Sequence, residues 1–230
     1  MVLNPARQYP GLFASSPLRQ WAIELADLVF PPTCVHCGRV DVPWCAVCSA
    51  ELDELPLDIH LADLAHFTAV AATGIHAGIL QSAVQAFKYY QAPALALPLG
   101  RRLSACLAAQ NWTFDMLIPV PLHPKRLAER GYNQSQKLCE VVAQMTEIPC
   151  IPDALLRHRD TPHQVGLDRQ QRLENVADAF SADSGQVANK TLLIIDDVRT
   201  TGATLSACAA AALAAGARSI TALTVGIARA

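Results

Sequence analysis

Apolar residues recur along this chain with two different periods, and the alternation between them sets the expected architecture. Residues 17–30, "PLRQWAIELADLVF", place Trp21, Leu25 and Leu28 at helical spacing and predict a short amphipathic helix leading into Pro31 and Pro32. "FTAVAATGI" (67–75) reads as a strand closed by a turn at Gly74, and "GILQSAVQAFKYY" (78–90) as a helix with Ile79, Val84 and Phe87 inward. A second helix, "ALALPLGRRLSACLAAQ", follows Pro93, with Pro98 either in its first turn or kinking it. "FDMLIPVPLHPKR" is a short strand stopped by prolines. In "YNQSQKLCEVVAQM", Asn133 is the expected N-cap with Gln136 three residues on, ahead of an apolar stripe of Leu138, Val141 and Val142.

Farther on, "DALLR" and "VADAF" are expected as short strands on either side of the polar loop "HRDTPHQVGLDRQQRLEN". A strand at 190–195, a helix at 203–215 ended by Gly216 and a last strand "SITALTVGIA" complete the pattern. Strands alternating with helices predict an α/β protein with a mainly parallel central sheet flanked by helices. The organisation expected is an N-terminal helix and cysteine module over 1–66, then the α/β domain over 67–230.

Composition narrows the class. The chain has 230 residues, 52% of them apolar and 17% charged, enough for one medium domain plus a small module. A net charge of −2 offers no global attraction to nucleic acid or anionic membrane, so any such binding needs a local patch. The first thirty residues carry Arg7, Arg19, Glu24 and Asp27 and no secretory pattern, and the longest weakly polar run, 206–217, is too short to span a bilayer. The expectation is a cytoplasmic protein with no membrane insertion. Four of the eight cysteines fall within residues 34–48, a distribution that favours a metal site in a reducing compartment over disulfides.

Cys34-x-x-Cys37 and Cys45-x-x-Cys48 form two knuckles that together supply four soft thiolates, the set a structural Zn2+ prefers. Gly38 suits the turn after the first knuckle, and His36 is expected to face solvent rather than the metal. The second concentration of chemistry is "LLIIDDVRTTGATL" (192–205), where a buried strand is expected to end in two adjacent carboxylates. Either Asp196 and Asp197 are solvated at a sheet edge, or they hold something. A strand-to-helix junction aligns free backbone N–H groups with the helix dipole, so the Thr200–Thr204 turn suits a phosphate. The acids suit sugar hydroxyls, or a magnesium ion through water. Acids for hydroxyls beside a cradle for phosphate describe a ribose 5-phosphate.

This last stretch resembles the motif by which type I phosphoribosyltransferases bind 5-phosphoribosyl 1-diphosphate (PRPP). A wider resemblance rests on "PPTCVHCG", "WCAVC", "AVQAFKYYQAPALALPLGRRL", "LIPVPLHPKRLAERGYNQSQKL" and "LLRHRDTPHQVGLDRQQRLENVADAF", which with it occur in the order found in the ComF family of ComFC- and GntX-like proteins. The resemblance implies a type I phosphoribosyltransferase fold behind a four-cysteine zinc module. It implies that Asp196 and Asp197 meet the ribose and that Thr200, Thr201, Gly202, Ala203 and Thr204 meet the 5-phosphate. The turn at Pro121, Leu122 and His123, with Lys125, Arg126 and Arg130 after it, falls on the pyrophosphate side; the competing reading is a solvated cationic helix face. The loop 157–175 corresponds to a mobile flap, with Thr161, Gln164 and Arg172 as lid contacts. Lys88 and Tyr89 match a family "KY" pair and are expected to face the site, with edge packing as the alternative for Tyr89 and Tyr90.

In such a reaction the protein holds the sugar phosphate, neutralises pyrophosphate with Mg2+ and cations, and excludes water. Purine-specific relatives often carry a carboxylate at the fifth motif position, where this chain has Thr200. The acceptor therefore stays open. Two functions follow from the resemblance: transfer of phosphoribose to an undetermined acceptor in a protein linked to DNA uptake, or a PRPP-sensing accessory protein. The latter would contact single-stranded DNA or a competence helicase through the zinc module and basic helix.

Overall fold

Two nine-residue strands, one on either side of the last long helix, organise the molecule. The computed structural model describes residues 31–40, 42–90, 92–159 and 179–228. The expected helix at 17–30 and the lid candidates Thr161, Gln164 and Arg172 lie outside these residues. The strands are β1 (His60–Ala62), β2 (Ala69–Ala72), β3 (Met116–Pro119), β4 (Leu155–Arg157), β5 (Phe180–Ala182), β6 (Thr191–Arg199) and β7 (Ser219–Ile227). Five of them form one sheet in the order β1-β2-β7-β6-β3. β2, β7, β6 and β3 are parallel, and only β1 runs antiparallel, on the outer edge of β2. β4 and β5 form a separate antiparallel pair.

Helices cover both faces, which is why β6 and β7 read as near-continuous apolar runs. They are α1 (Ala46–Glu54), α2 (Gly78–Tyr89), α3 (Ala96–Ala108), α4 (Pro124–Arg130), α5 (Gln134–Thr146), α6 (Ser184–Val187) and α7 (Ala203–Ala214). Leu193, Ile195, Leu223 and Val225 share one core with Leu80 and Phe87 of α2, Leu99 and Leu103 of α3 and Leu138 of α5. Leu192, Ile194, Ile220 and Ala222 point the other way, as strand periodicity requires, into a core with Leu205, Cys208 and Ala209 of α7. Ile79, Val84 and Phe87 are buried as expected, and Pro98 sits in the first turn of α3. Among the described residues no helix is long and apolar enough to cross a membrane.

Several elements depart from their expected bounds. β6 does not stop at the acids: it continues to Arg199, with Asp196 opposite Thr224 and Val198 opposite Gly226. The reason is that β7 supplies ladder partners as far as Ile227, whereas β3 ends opposite Ile195. The carboxylates thus stand on a paired strand with one open side. The fifth strand begins at Phe180 and runs past the expected "VADAF". Asn133 caps α5, its Oδ1 accepting from the Ser135 N–H at 3.1 Å, but Gln136 does not reach back; its Nε2 donates to Glu140 Oε1 at 3.0 Å.

The closest helix contact on the first face is between α3 and α5. A Cβ built on Gly100 would lie 2.5 Å from Val141 Cγ1 and 2.6 Å from its Cβ, so a glycine is needed here for approach. Gly100→Ala is therefore expected to lower stability in chemical denaturation by about 1–3 kcal/mol, although alanine would add roughly 1 kcal/mol in an uncrowded helix. Val141→Ala in the same chain should recover most of the loss. A Gly100→Ala protein as stable as the original would show that the two helices separate freely.

Candidate functional site

The four knuckle cysteines converge. All four Sγ atoms lie within 4.8 Å of one another, with Cys34 to Cys48 and Cys37 to Cys45 both at 3.7 Å. A tetrahedral ion with metal–sulfur bonds of about 2.3 Å has sulfur–sulfur edges of about 3.8 Å, so the set fits zinc. The first knuckle closes with the Gly38 N–H on the Cys34 carbonyl at 2.8 Å, Gly38 adopting a φ of 75°. Burial opposes ionisation of Cys34, but N–H groups of Cys37, Cys45 and His36 aimed at its sulfur bring the thiol down to about 6. His36 is half-buried, contrary to expectation. Its Nδ1 lies 3.1 Å from Ser82 Oγ on α2, and its Nε2 lies 3.8 Å from Glu51 on α1. Cys34, Cys45, Cys48 and Leu52 belong to the same core as α2 and α3, so the module is built onto the sheet domain.

Parallel strands bring their carboxyl ends to one edge of the sheet, and the acids of β6 lie there. Asp197, 6% exposed, points to the face covered by α2, and Lys88 in the last turn of that helix meets it with Nζ 2.8 Å from Oδ1. Asp196 accepts from Ser135 Oγ at 2.8 Å and from the Asp197 N–H at 2.9 Å, both at Oδ1. The doubled charge is thus met by a cation on one side and a hydroxyl on the other. Burial, then the Asp197 charge, push the Asp196 carboxyl up to about 7 against the opposing pull of Lys88 and Ser135. Burial works against the Lys88 ammonium, but Asp197 more than offsets it and holds its pKa above the ordinary lysine value. Near this pair is His76, lowered by burial and then by the Lys88 charge. Its Nδ1 has no hydrogen-bond partner among the described residues.

After β6 the chain turns into α7. Thr200 is exposed, Thr201 Oγ1 accepts from the Ala203 N–H at 3.4 Å, and Gly202 stands at φ 83° as the residue before the helix. Ala203 is buried and Thr204 half-buried. The close approach at Gly202 is made by Leu64: a Cβ there would lie 2.7 Å from Leu64 Cδ1. On the opposite side of the acids, the turn after β3 is anchored by the Val120 N–H on the Ile195 carbonyl at 3.0 Å. Pro121 is buried and Leu122 half-buried, while His123 caps α4 by accepting from the Lys125 N–H at 3.3 Å. Lys125 is exposed; Arg126 and Arg130 are half-exposed, with the Arg130 guanidinium 5.4 Å from the Tyr89 ring centroid.

One short segment, 130–135, joins these parts. Arg130 stacks on Tyr89, Tyr132 Oη donates to the Phe87 carbonyl at the end of α2, and Asn133 Nδ2 donates to the Val120 carbonyl at 3.0 Å. Ser135 then reaches Asp196. The segment therefore ties the helix that carries Lys88, the proline turn and the acids into one unit. The sequence names neither Ser135 nor His76 for the site, and it does not pair Lys88 with Asp197. Ser135 had no signal beyond following an N-cap, and His76 and Lys88 become neighbours of the acids only when α2 is packed on the sheet.

No family model matches the chain. Fold and site define the class: a mainly parallel α/β protein with an acid-and-threonine strand end and a four-cysteine cluster. The chain is 27% identical over 182 residues to "Competence protein F" of Haemophilus influenzae, covering 76% of each. It is 28% identical over 194 residues to "DNA utilization protein YhgH" of Escherichia coli O157:H7, covering 81% of this chain and 85% of that one. It is thus homologous to the ComF-type competence proteins that its motifs resemble. Among solved structures, a glutamine phosphoribosylpyrophosphate amidotransferase from B. subtilis aligns at TM-score 0.43 and 19% identity, over 61% of this chain and 30% of that one.

Because three of the thiolates lie in the domain core, stripping the metal with a chelator is expected to lower the main thermal unfolding midpoint by at least about 5 °C. A main transition that stays in place would show the module to be independent. A pH effect follows from Asp196, whose carboxyl moves from 3.8 to about 7 on folding. The folded state keeps this proton where the unfolded chain loses it, so the group's contribution to stability falls as pH rises from about 4 to about 7. Asp196→Asn should remove that slope, gaining on the original protein toward neutral pH and matching it at acid pH, as read from denaturation midpoints across the range.

Proposed function

We propose that the carboxyl edge of the sheet binds a PRPP-type ligand and that this pocket serves a protein engaged in the uptake or use of DNA. The observation that supports the reading is the acid pair of β6, carried on a paired strand with one open side, which leads through the Thr200-Thr201-Gly202 turn into a helix with Thr204 in its first turn. Asp196 and Asp197 would take the ribose hydroxyls. The 200–204 turn and the amino end of α7 would take the 5-phosphate. The turn at 121–123 and the cations of α4 would face the diphosphate. The described residues bring three or more ligating side chains together only at the cysteines, so a magnesium ion would be held largely by the ligand's own diphosphate. Zinc would be structural, because all four positions are filled by protein sulfur.

In transfer, the bond from ribose C1 to the diphosphate oxygen breaks while a bond from C1 to an acceptor nitrogen forms, and the acceptor's proton leaves to solvent or a base. The chain's contribution would be to hold the sugar, neutralise the leaving group and exclude water. Thr200, exposed and without an ionisable group, supplies no base-handling acid and leaves the acceptor open, so a second, non-catalytic reading stands beside the first: the pocket senses PRPP, and the module and α4 contact single-stranded DNA or a translocating helicase. The names of the relatives, which speak of competence and DNA utilisation, are compatible with both.

Titration calorimetry with PRPP and magnesium is expected to give binding in the full chain. Asp196→Asn with Asp197→Asn should weaken that binding by about tenfold or more, given the loss of charge-assisted hydrogen bonds to the ribose. Equal binding by the double variant would sink the assignment of the acids. Diphosphate release across a panel of nucleobases then separates the two readings, a uniformly silent panel selecting the sensing protein.

A further inference from the structure

The pairing of Lys88 with Asp197 goes beyond the site as so far assigned. Lys88 sits in the last turn of α2, against the acids of β6. Its own ammonium meets the acid at 2.8 Å, while its neighbours Phe87 and Tyr89 are held by Tyr132 and Arg130, on either side of the Gly131 turn. The next residue, Asn133, grips the Val120 carbonyl that opens the proline turn. The acid pair, the end of α2 and the diphosphate-facing turn are thus joined through Lys88 and the consecutive residues Tyr132 and Asn133.

The two partners are held differently. The Asp197 side chain is 9% exposed and belongs to a paired strand, whereas that of Lys88 is 22% exposed and lies in the last turn of α2. A lysine is a point charge on a flexible four-carbon stem with rotatable donors, suited to changing partners. Asp196 has partners of its own in Ser135 and the Asp197 N–H, and it does not depend on this lysine. A ligand that gives hydroxyls to Asp197 would replace the hydrogen bonds Lys88 now supplies. If that ligand also carries a diphosphate, it brings negative charge toward two carboxylates, and a cation released within reach is what relieves the repulsion.

Resting on the PRPP reading of the site, we propose that Lys88 is an exchangeable counterion: it neutralises Asp197 until ligand arrives, then leaves the aspartate to the ribose hydroxyls and pairs with the diphosphate. Lys88 is then a binding residue for the leaving group, and the buried acid is never left without a partner. The exchange also gives the pocket selectivity. A sugar phosphate without a diphosphate must displace the lysine and offers it nothing in return, whereas PRPP repays the displacement with a second ion pair.

The test uses the zinc-loaded full chain with two probes, PRPP with magnesium and ribose 5-phosphate, measured by calorimetry. Lys88→Gln keeps a donor for Asp197 and removes the charge; Lys88→Arg keeps the charge. Lys88→Gln is expected to weaken PRPP binding by about tenfold or more while ribose 5-phosphate binds as well as before or better, and Lys88→Arg to stay within about threefold of the original for PRPP. Equal losses for both probes, or no loss for PRPP, would overturn the exchange. Failure of the unaltered chain to bind either probe overturns the pocket itself, and the exchange with it. PRPP binding that is lost in Asp197→Asn but kept in Lys88→Gln overturns the exchange alone. A melting curve for each variant verifies the fold, and Lys88→Met with Asp197→Asn, which removes both charges together, serves if Lys88→Gln does not fold. That pair should then bind ribose 5-phosphate no more tightly than Asp197→Asn by itself and PRPP more weakly.

Discussion

A carboxylate at 6% exposure on a central strand has to be met by charge, and the ion pair between Asp197 and Lys88 is the interaction around which this edge of the molecule is arranged. For Lys88 to reach the acid, α2 must end at one place and at one height over the sheet. That end is fixed from outside by Tyr132 on the Phe87 carbonyl and by Arg130 on the Tyr89 ring. The residues that do this directly precede Asn133, which caps α5 and holds the proline turn. Charge burial at one side chain therefore explains why so much specific bonding is concentrated in residues 130–135.

The cysteine module enters the same system from the other end of α2. His36 lies against Ser82, and Cys34, Cys45 and Cys48 pack among the apolar residues of α2 and α3. A four-thiolate cluster supplies rigidity that a short chain segment with one helix could not obtain from its own burial. The module uses that rigidity to cover one face of the sheet domain. A metal ion held by these four sulfurs would thereby take a structural part in the α/β domain.

Much of this is legible in the sequence, for physical reasons that differ by element. Residues 78–89 and 134–146 carry a full apolar stripe with a clear start, so helix and inward face follow from periodicity alone. The cysteine cluster was legible because ligand spacing is local: two tight turns place four sulfurs with little help from the rest of the fold. The carboxyl end of β6 was not. A strand's length depends on its neighbours, and nothing near Asp196 in the chain announces that Thr224 and Gly226 continue the ladder. Ser135, and the pairing of Lys88 with Asp197, were hidden for a related reason: these residues are far from the acids in sequence and meet them only through helix packing. His36 was misjudged because a residue inside a knuckle looks solvent-facing until α2 is laid against it.

Arg102 shows how the edge of the sheet is integrated. From α3, with 7% exposure, its guanidinium donates to the carbonyls of Leu55, Pro56 and Thr73, the first two before β1 and the last after β2. A single side chain thus staples both ends of the β1–β2 hairpin to one helix. Fraying of this three-residue edge strand cannot spread into the module or into β2 without first breaking that fan of bonds. Module, hairpin and helix accordingly form one cooperative unit, whose amides should exchange with solvent together rather than in sequence from the edge inward.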